Sequence, residues 1–203
     1  MKQVYQSIHK RLPPKFASIL DFEMGTYISF VKLLFRRSEL ANLHSQKKAF
    51  AYSEMQTGML WMFQVISVAE IIAIELLVSN EKLRMILLIL GLWSILLIFG
   101  MWSSFKVNPH LVEEETITIR QGTLYEIAIS KSLIKSVSEV TSREYSKCSL
   151  SDNELHLPVM NETNMKISLS NPIPCKLPWG MSGDVKEIYF YLNKVNENSK
   201  YFR

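Results

Sequence analysis

The chain of 203 residues holds only two cysteines, Cys148 and Cys175. One possible pair builds no disulfide framework of the kind that staples small secreted domains, so both are expected as free thiols. The four histidines, His9, His44, His110 and His156, are too widely spaced for a short metal signature, and neither HExxH nor CxxC occurs. No metal and no cofactor are expected. There is no GxSxG elbow, and Gly180-Met-Ser-Gly183 lacks the GK[ST] that completes a phosphate-binding loop. With no catalytic residues marked, the chain reads as a non-enzyme. A glycine-aromatic RNA-binding run, a zinc finger and a basic zipper are missing too, which argues against a nucleic-acid partner.

Charge is scarce in the middle of the chain. The composition is 48% hydrophobic and 21% charged, with a mean hydropathy of +0.07, and that average hides two regions of opposite character. Residues 59–105 are overwhelmingly apolar, whereas those after Lys106 have the polarity of a soluble domain. Residues 1–50 carry nine Lys or Arg against three Asp or Glu, a net of +6, while 106–203 carry twelve of each. A basic stretch beside an apolar one points to an anionic lipid surface as a partner.

Residues 58–78, GMLWMFQVISVAEIIAIELLV, and 85–105, MILLILGLWSILLIFGMWSSF, are each 21 residues long. At 1.5 Å of rise per residue each reaches across a hydrocarbon core of about 30 Å. The six residues between them force an antiparallel hairpin, and helices satisfy every backbone polar group internally in lipid. Lys47 and Lys48 before the first span and Lys106 after the second place both termini on the cytoplasmic side of a cell membrane, with Lys82 and Arg84 in the short loop acting against that bias. The opening MKQVYQSIHKRLPPKF lacks the apolar run and cleavage site of a signal peptide, so the first span is expected to remain as an anchor.

Glu70 is the polar exception deep in the first span, where an ionised carboxylate facing lipid is expensive. Setting the loop centre as the turning point brings Glu70 opposite Trp93 and Ser94, whose indole N–H and hydroxyl are candidate donors. Three uses follow: a contact that stabilises the hairpin, a receptor for a cationic residue of a partner, or a station in ion movement. Ala69 and Ala73 form a small-xxx-small pair and Gly91 a point of close approach, both suited to packing within the hairpin.

Before the hairpin, Pro13-Pro14 and Asp21-Phe-Glu-Met-Gly25 read as interruptions. Tyr27-Ile-Ser-Phe-Val-Lys-Leu-Leu-Phe35 is too short for a third span and is expected at the membrane surface, with Lys32, Arg36 and Arg37 near headgroups. Ser38 is a candidate cap. Residues 39–56 contain no proline or glycine, so a helix is expected to run continuously into the first span.

After Lys106 the pattern changes to the alternation of strands. Ile117 and Ile119 alternate with Thr and Arg before Gly122, which permits a turn, and further short strands are expected at 124–129, 133–140, 154–159, 165–169 and 187–192. Roughly seven short elements suit a small barrel or curved sheet, with residues 196–203 as a terminal helix whose Tyr201 and Phe202 cover a sheet opening. Trp179, beside Gly180, serves either an exposed contact or the core. The runs TITIRQGTLYEIAISKSLIKSVSEV and NMKISLSNPIPCKLPWGMSGDVKEIYFYL, covering much of 116–192, resemble the bacterial pleckstrin-homology-like domains attached to short transmembrane hairpins. That resemblance implies several antiparallel strands, a terminal helix and a scaffold or regulatory role, and it supplies no catalytic residues.

The expected architecture is thus an α+β membrane protein: a basic juxtamembrane helical region at 1–56, a two-helix transmembrane hairpin at 57–105, and a cytoplasmic, mainly antiparallel β domain at 106–203. The expected function is that of a membrane-anchored regulatory, scaffold or assembly protein that binds an integral-membrane partner or its own copies, with Glu70, Trp93, Ser94 and Trp179 as partner-binding residues. The alternative is an ion or proton transporter component that uses Glu70.

Overall fold

A computed structural model describes residues 13–35, 48–143 and 147–202, the side chains of 14, 15 and 179 excepted. The fold is α+β, with two long apolar helices and two sheets. Helix α1 (Pro14–Phe35) begins with proline in the first turn, where the missing N–H has no intrahelical partner to lose. Helices α2 (Glu54–Leu77) and α3 (Glu81–Val107) form an antiparallel hairpin, and both are long and apolar enough to cross a bilayer by length and composition. The Asn80 side chain caps α3 by accepting from the Leu83 N–H at 3.1 Å. Arg84 faces Glu75 at 3.8 Å across the hairpin tip.

The first sheet is antiparallel, in the order β1 (Lys48–Phe50), β2 (His110–Val112), β3 (Thr116–Gln121), β4 (Tyr125–Ser130). β1 precedes the hairpin and β2 follows it, and they pair as Lys48↔Val112 and Phe50↔His110. The two feet of the hairpin are therefore clamped together. This overturns the expected continuous helix: the chain is extended at Lys48–Phe50 and α2 starts only at Glu54. The Ser38 cap and the stretch 39–47 lie outside the described residues.

The second sheet runs β5 (Ile134–Ser142), β8 (Thr163–Lys176), β9 (Ser182–Phe190), β7 (Glu154–Leu157), β6 (Ser149–Ser151), antiparallel except for β7 beside β9. β8 runs past the expected strand at 165–169 and through two prolines. Pro172 falls in the irregularity between Ser168 and Ile173, and Pro174 lies where β5 no longer flanks β8, the two settings in which a strand tolerates proline. Gly122, at φ +61°, makes the β3–β4 turn.

One core joins the sheets. Ile117, Ile119, Ile127 and Ile129 from the first meet Leu155, Met165, Ile167, Ile188 and Phe190 from the second. The short terminal helix α4 (Val195–Asn198) and the turn after it bring Phe202 onto Phe50 and Phe190, at 5.2 and 5.5 Å between ring centres. Phe202 is buried while Tyr201 stays partly exposed beside Phe50.

Candidate functional site

The segment expected on the membrane surface is part of the 22-residue helix α1, which packs along α3. The seam is made of small residues. Thr26 lies against Gly100, where an added Cβ would come within 3.0 Å of the Thr26 Cβ, and a Cβ on Gly25 would come within 2.9 Å of Thr123 in the β3–β4 turn. Thr26 and Ser29 are buried, each returning its hydroxyl to a carbonyl of its own helix, Glu23 O at 2.7 Å and Gly25 O at 2.8 Å. The large side chains of α1, among them Phe16, Ile28, Val31, Leu34 and Phe35, point outward.

α2 and α3 repeat this inversion. Between them, the buried positions are Leu60, Gln64 and Ser67 on α2 and Gly100, Ser103, Ser104 and Val107 on α3. The exposed ones include Val65, Ile66, Val68, Ile72, Leu76, Ile86, Ile89, Leu92 and Leu96. The register is close to the expected one: Ile71 meets Gly91, where a Cβ would come within 2.8 Å of the Ile71 Cγ1, and Trp61 stands edge-on to Phe99.

Rotation about the helix axes corrects the expected Glu70 contact. Each residue turns a helix by about 100°, so Glu70 is displaced from the seam residue Ile71, and Trp93, two residues past Gly91, faces away from α2. The Trp93 indole donates instead to the Tyr27 hydroxyl on α1, at 2.6 Å. Ser94 is half-buried, and Glu70 is exposed on the outer face of α2. Trp179 belongs to the turn Pro178–Gly180 near α1, and its side chain lies outside the described residues. Glu70 thus makes no hydrogen bond to Trp93 or Ser94. The Gly25-xxx-Ser29 spacing was the sequence signal for the α1 seam.

Where the hairpin meets the sheets, Tyr52 stacks on His110 at 4.5 Å and His110 stands edge-on to Phe190 at 5.3 Å. The Gly122 N–H donates to the Tyr52 hydroxyl at 2.6 Å, and burial holds that phenol well above its ordinary pKa. His110 Nδ1 accepts from the Arg120 N–H at 3.1 Å, which leaves Nε2 to donate to the Tyr191 carbonyl at 2.9 Å. Burial lowers its pKa to about 4, against the opposing pull of that Tyr191 bond. The imidazole is a neutral structural link.

Beside this junction a cleft of about 410 Å³ is lined by Gln56, Met59, Gln121, Tyr125, Cys148 and Met160, among others. Burial pushes the Cys148 thiol up to about 12, with Tyr125 hydrogen-bonding in the opposite sense and Cys175 adding to the rise. Among the described residues its lining holds the titratable groups of Tyr125, Lys147 and Cys148 and no carboxylate or imidazole. On the second sheet, Lys166 pairs with Glu187 at 2.7 Å, and Tyr189 donates to the same carboxylate at 2.9 Å. That hydrogen bond from Lys166 lowers the Glu187 pKa and raises that of Lys166. Among the described residues no cluster of three His, Cys, Asp or Glu is placed to hold a metal ion.

No protein family, no curated protein and no solved structure matches this chain. The chemistry of the helical face rests on its own side chains. Glu70 has no ion-pair partner among the described residues, and neither does Lys32, exposed on α1 beside a groove of about 410 Å³ lined by Tyr27, Ile28, Val31 and Lys32.

Proposed function

We propose that this chain is a membrane-anchored scaffold or assembly protein: α2 and α3 cross a cell membrane with α1 packed on α3, and the sheets form a domain at the cytoplasmic surface. One observation carries the reading. In all three helices most of the buried residues are small or polar, Leu60 and Val107 being the exceptions, and most of the exposed ones are large and apolar, as in helix packing within lipid, where close backbone approach rather than apolar burial joins helices. In water the same surface would be a large apolar patch. The basic composition of residues 1–50 suits anionic headgroups beside the anchor. A scaffold or regulatory role also agrees with what the resemblance to pleckstrin-homology-like domains implies.

Glu70 supplies the assembly element. A carboxylate on an outer apolar face is costly in lipid unless a partner meets it. The transporter alternative has less support, because the seam between α2 and α3 buries no charged group among the described residues.

The test is twofold. Alkaline carbonate should leave the protein in the membrane fraction, and single cysteines in a version lacking Cys148 and Cys175 should label from outside at Asn80 and from inside near residue 200. Release by carbonate, or outside labelling near residue 200, overturns the anchor or its orientation. Affinity purification in mild detergent should recover a stoichiometric partner, which Glu70→Leu loses.

A further inference from the structure

The β7–β8 turn carries a residue that its geometry disfavours. Val159 and Glu162 exchange backbone hydrogen bonds at 2.9 and 3.0 Å, so Met160 and Asn161 form a two-residue hairpin loop. Both are left-handed, at φ +48° and +66°, a geometry that favours asparagine, aspartate or glycine at each position. The β6–β7 turn has the same backbone and uses Asp152 and Asn153, at φ +50° and +64°. A methionine in that conformation is strained, and Met160 is 42% exposed. Its side chain therefore gives the folded core little in return.

Met160 lines the cleft of about 410 Å³ between the hairpin base and the sheets. The height of that cleft follows from the helix seam. Ile71 lies against Gly91, so in an antiparallel pair Met59, twelve residues back on α2, is level with Ser103 on α3, and Gln56 with Lys106. The apolar run on α3 ends at Phe105. A Cβ on Gly122 would come within 3.2 Å of the Phe105 ring, which sets the β3–β4 turn at the same boundary. Gln121, next to Gly122, donates its side-chain amide to the Pro158 carbonyl at 2.6 Å and ties the Met160 turn to that level. The cleft opens where apolar helix gives way to polar domain.

The lining is divided in the same way. Met59, Pro158 and Met160 are apolar, Gln56 and Asn161 carry amides, and Lys147 is the one full charge among the described lining residues. Lys147 pairs with no carboxylate among the described residues. We infer that the cleft seats one anionic phospholipid, with its phosphate at Lys147 and the amides of Gln56 and Asn161, and its glycerol and upper chains against Met59 and Met160. This rests on the membrane reading above, which puts the cleft at headgroup level. A soluble anion would match Lys147 and leave Met160 in water, whereas an apolar chain alone would leave Lys147 unmatched. No carboxylate in the described lining repels a phosphate. The strained Met160 turn is retained for the lipid contact.

The probe is dioleoyl phosphatidylglycerol, titrated onto the full chain in mild detergent and counted by native mass spectrometry, with dioleoyl phosphatidylcholine and glycerol phosphate as comparisons. Wild type should retain one phosphatidylglycerol at least about tenfold more tightly than phosphatidylcholine, and Lys147→Glu should abolish that preference. Met160→Asn should weaken retention at least about threefold through lost apolar contact. The same change should raise the unfolding temperature by about 2 °C, because asparagine suits the turn. A folding defect does not produce both effects. Equal retention of phosphatidylcholine, glycerol phosphate binding as tightly as the lipid, or normal binding by Lys147→Glu would each overturn the proposal. So would a Met160→Asn chain that binds normally or unfolds earlier, or a co-purifying protein that occupies the cleft in place of lipid and is lost from Lys147→Glu. Carbonate extraction of the wild type separates the two claims: release from the membrane sinks the anchor reading itself, whereas retention without selective phosphatidylglycerol binding sinks only this seat.

Discussion

The Trp93 indole N–H donates to the Tyr27 hydroxyl at 2.6 Å, joining a helix that precedes the hairpin to the hairpin's second arm across 66 positions of sequence. The bond holds α1 against α3 and leaves α2 with an outer face that touches neither Tyr27 nor Trp93. Its removal and the crowding of the neighbouring seam test different parts of the same packing.

Tyr27→Phe deletes the acceptor and should lower stability by about 1 kcal/mol, since polar contacts between membrane helices contribute modestly. Gly100→Leu should do more, in the range of about 1–3 kcal/mol, because a Cβ there meets Thr26 backbone atoms at 3.2 and 3.3 Å as well as its side chain. Thermal unfolding of the detergent-solubilised protein measures both. An equal or reversed order would reject the close seam.

Gly91→Ala places a methyl 2.8 Å from the Ile71 Cγ1. The gain of about 1 kcal/mol that alanine usually brings to a helix interior should be outweighed, giving a net loss. Combined with Ile71→Ala, the two changes should couple favourably by about 1 kcal/mol. Simple additivity in a double-mutant cycle would mean that these residues do not meet.

His110 makes stability depend on pH. Its pKa is about 4 in the folded chain against 6.5 for the ordinary group. Above pH 6.5 the ring is neutral in both states and adds no pH dependence. As the pH falls from 6.5 toward 4 the unfolded chain takes up a proton that the folded chain refuses, so stability drops by about 3 kcal/mol across that window. His110→Gln should remove this component. Identical pH profiles for the wild type and the variant, from urea unfolding, would contradict a buried neutral imidazole.

Cys148, pushed by burial up to about 12 from the ordinary 9.0, should hold far less thiolate than an exposed cysteine at neutral pH. Reaction with an aromatic disulfide should be slower by at least about two orders of magnitude than for the unfolded chain. Cys175 is buried and shifted in the same direction by burial. Rapid modification of either thiol in folded protein would show that the second sheet opens more easily than its packing implies.

Apolar length and alternation are local properties, and they alone determined the two long helices and most of the strands. Uninterrupted apolar runs marked α2 and α3, and the two-residue period at Ile117 and Ile119 marked a strand whose inward residues are indeed fully buried. Only the tertiary structure decided what these elements face. β1 is three residues long, too short to carry a period, and exists because β2 returns beside it after the hairpin. Two prolines sit inside β8 because one strand beside it has ended. Glu70 and Trp93 stand at nearly matching heights yet point apart, because one or two residues rotate a helix by about 100° to 200°. The small residues Gly25, Thr26 and Gly100, unremarkable one at a time, set where α1 lies. Height along a helix follows from counting residues, whereas the direction a side chain faces is settled by the neighbour that packs against its helix.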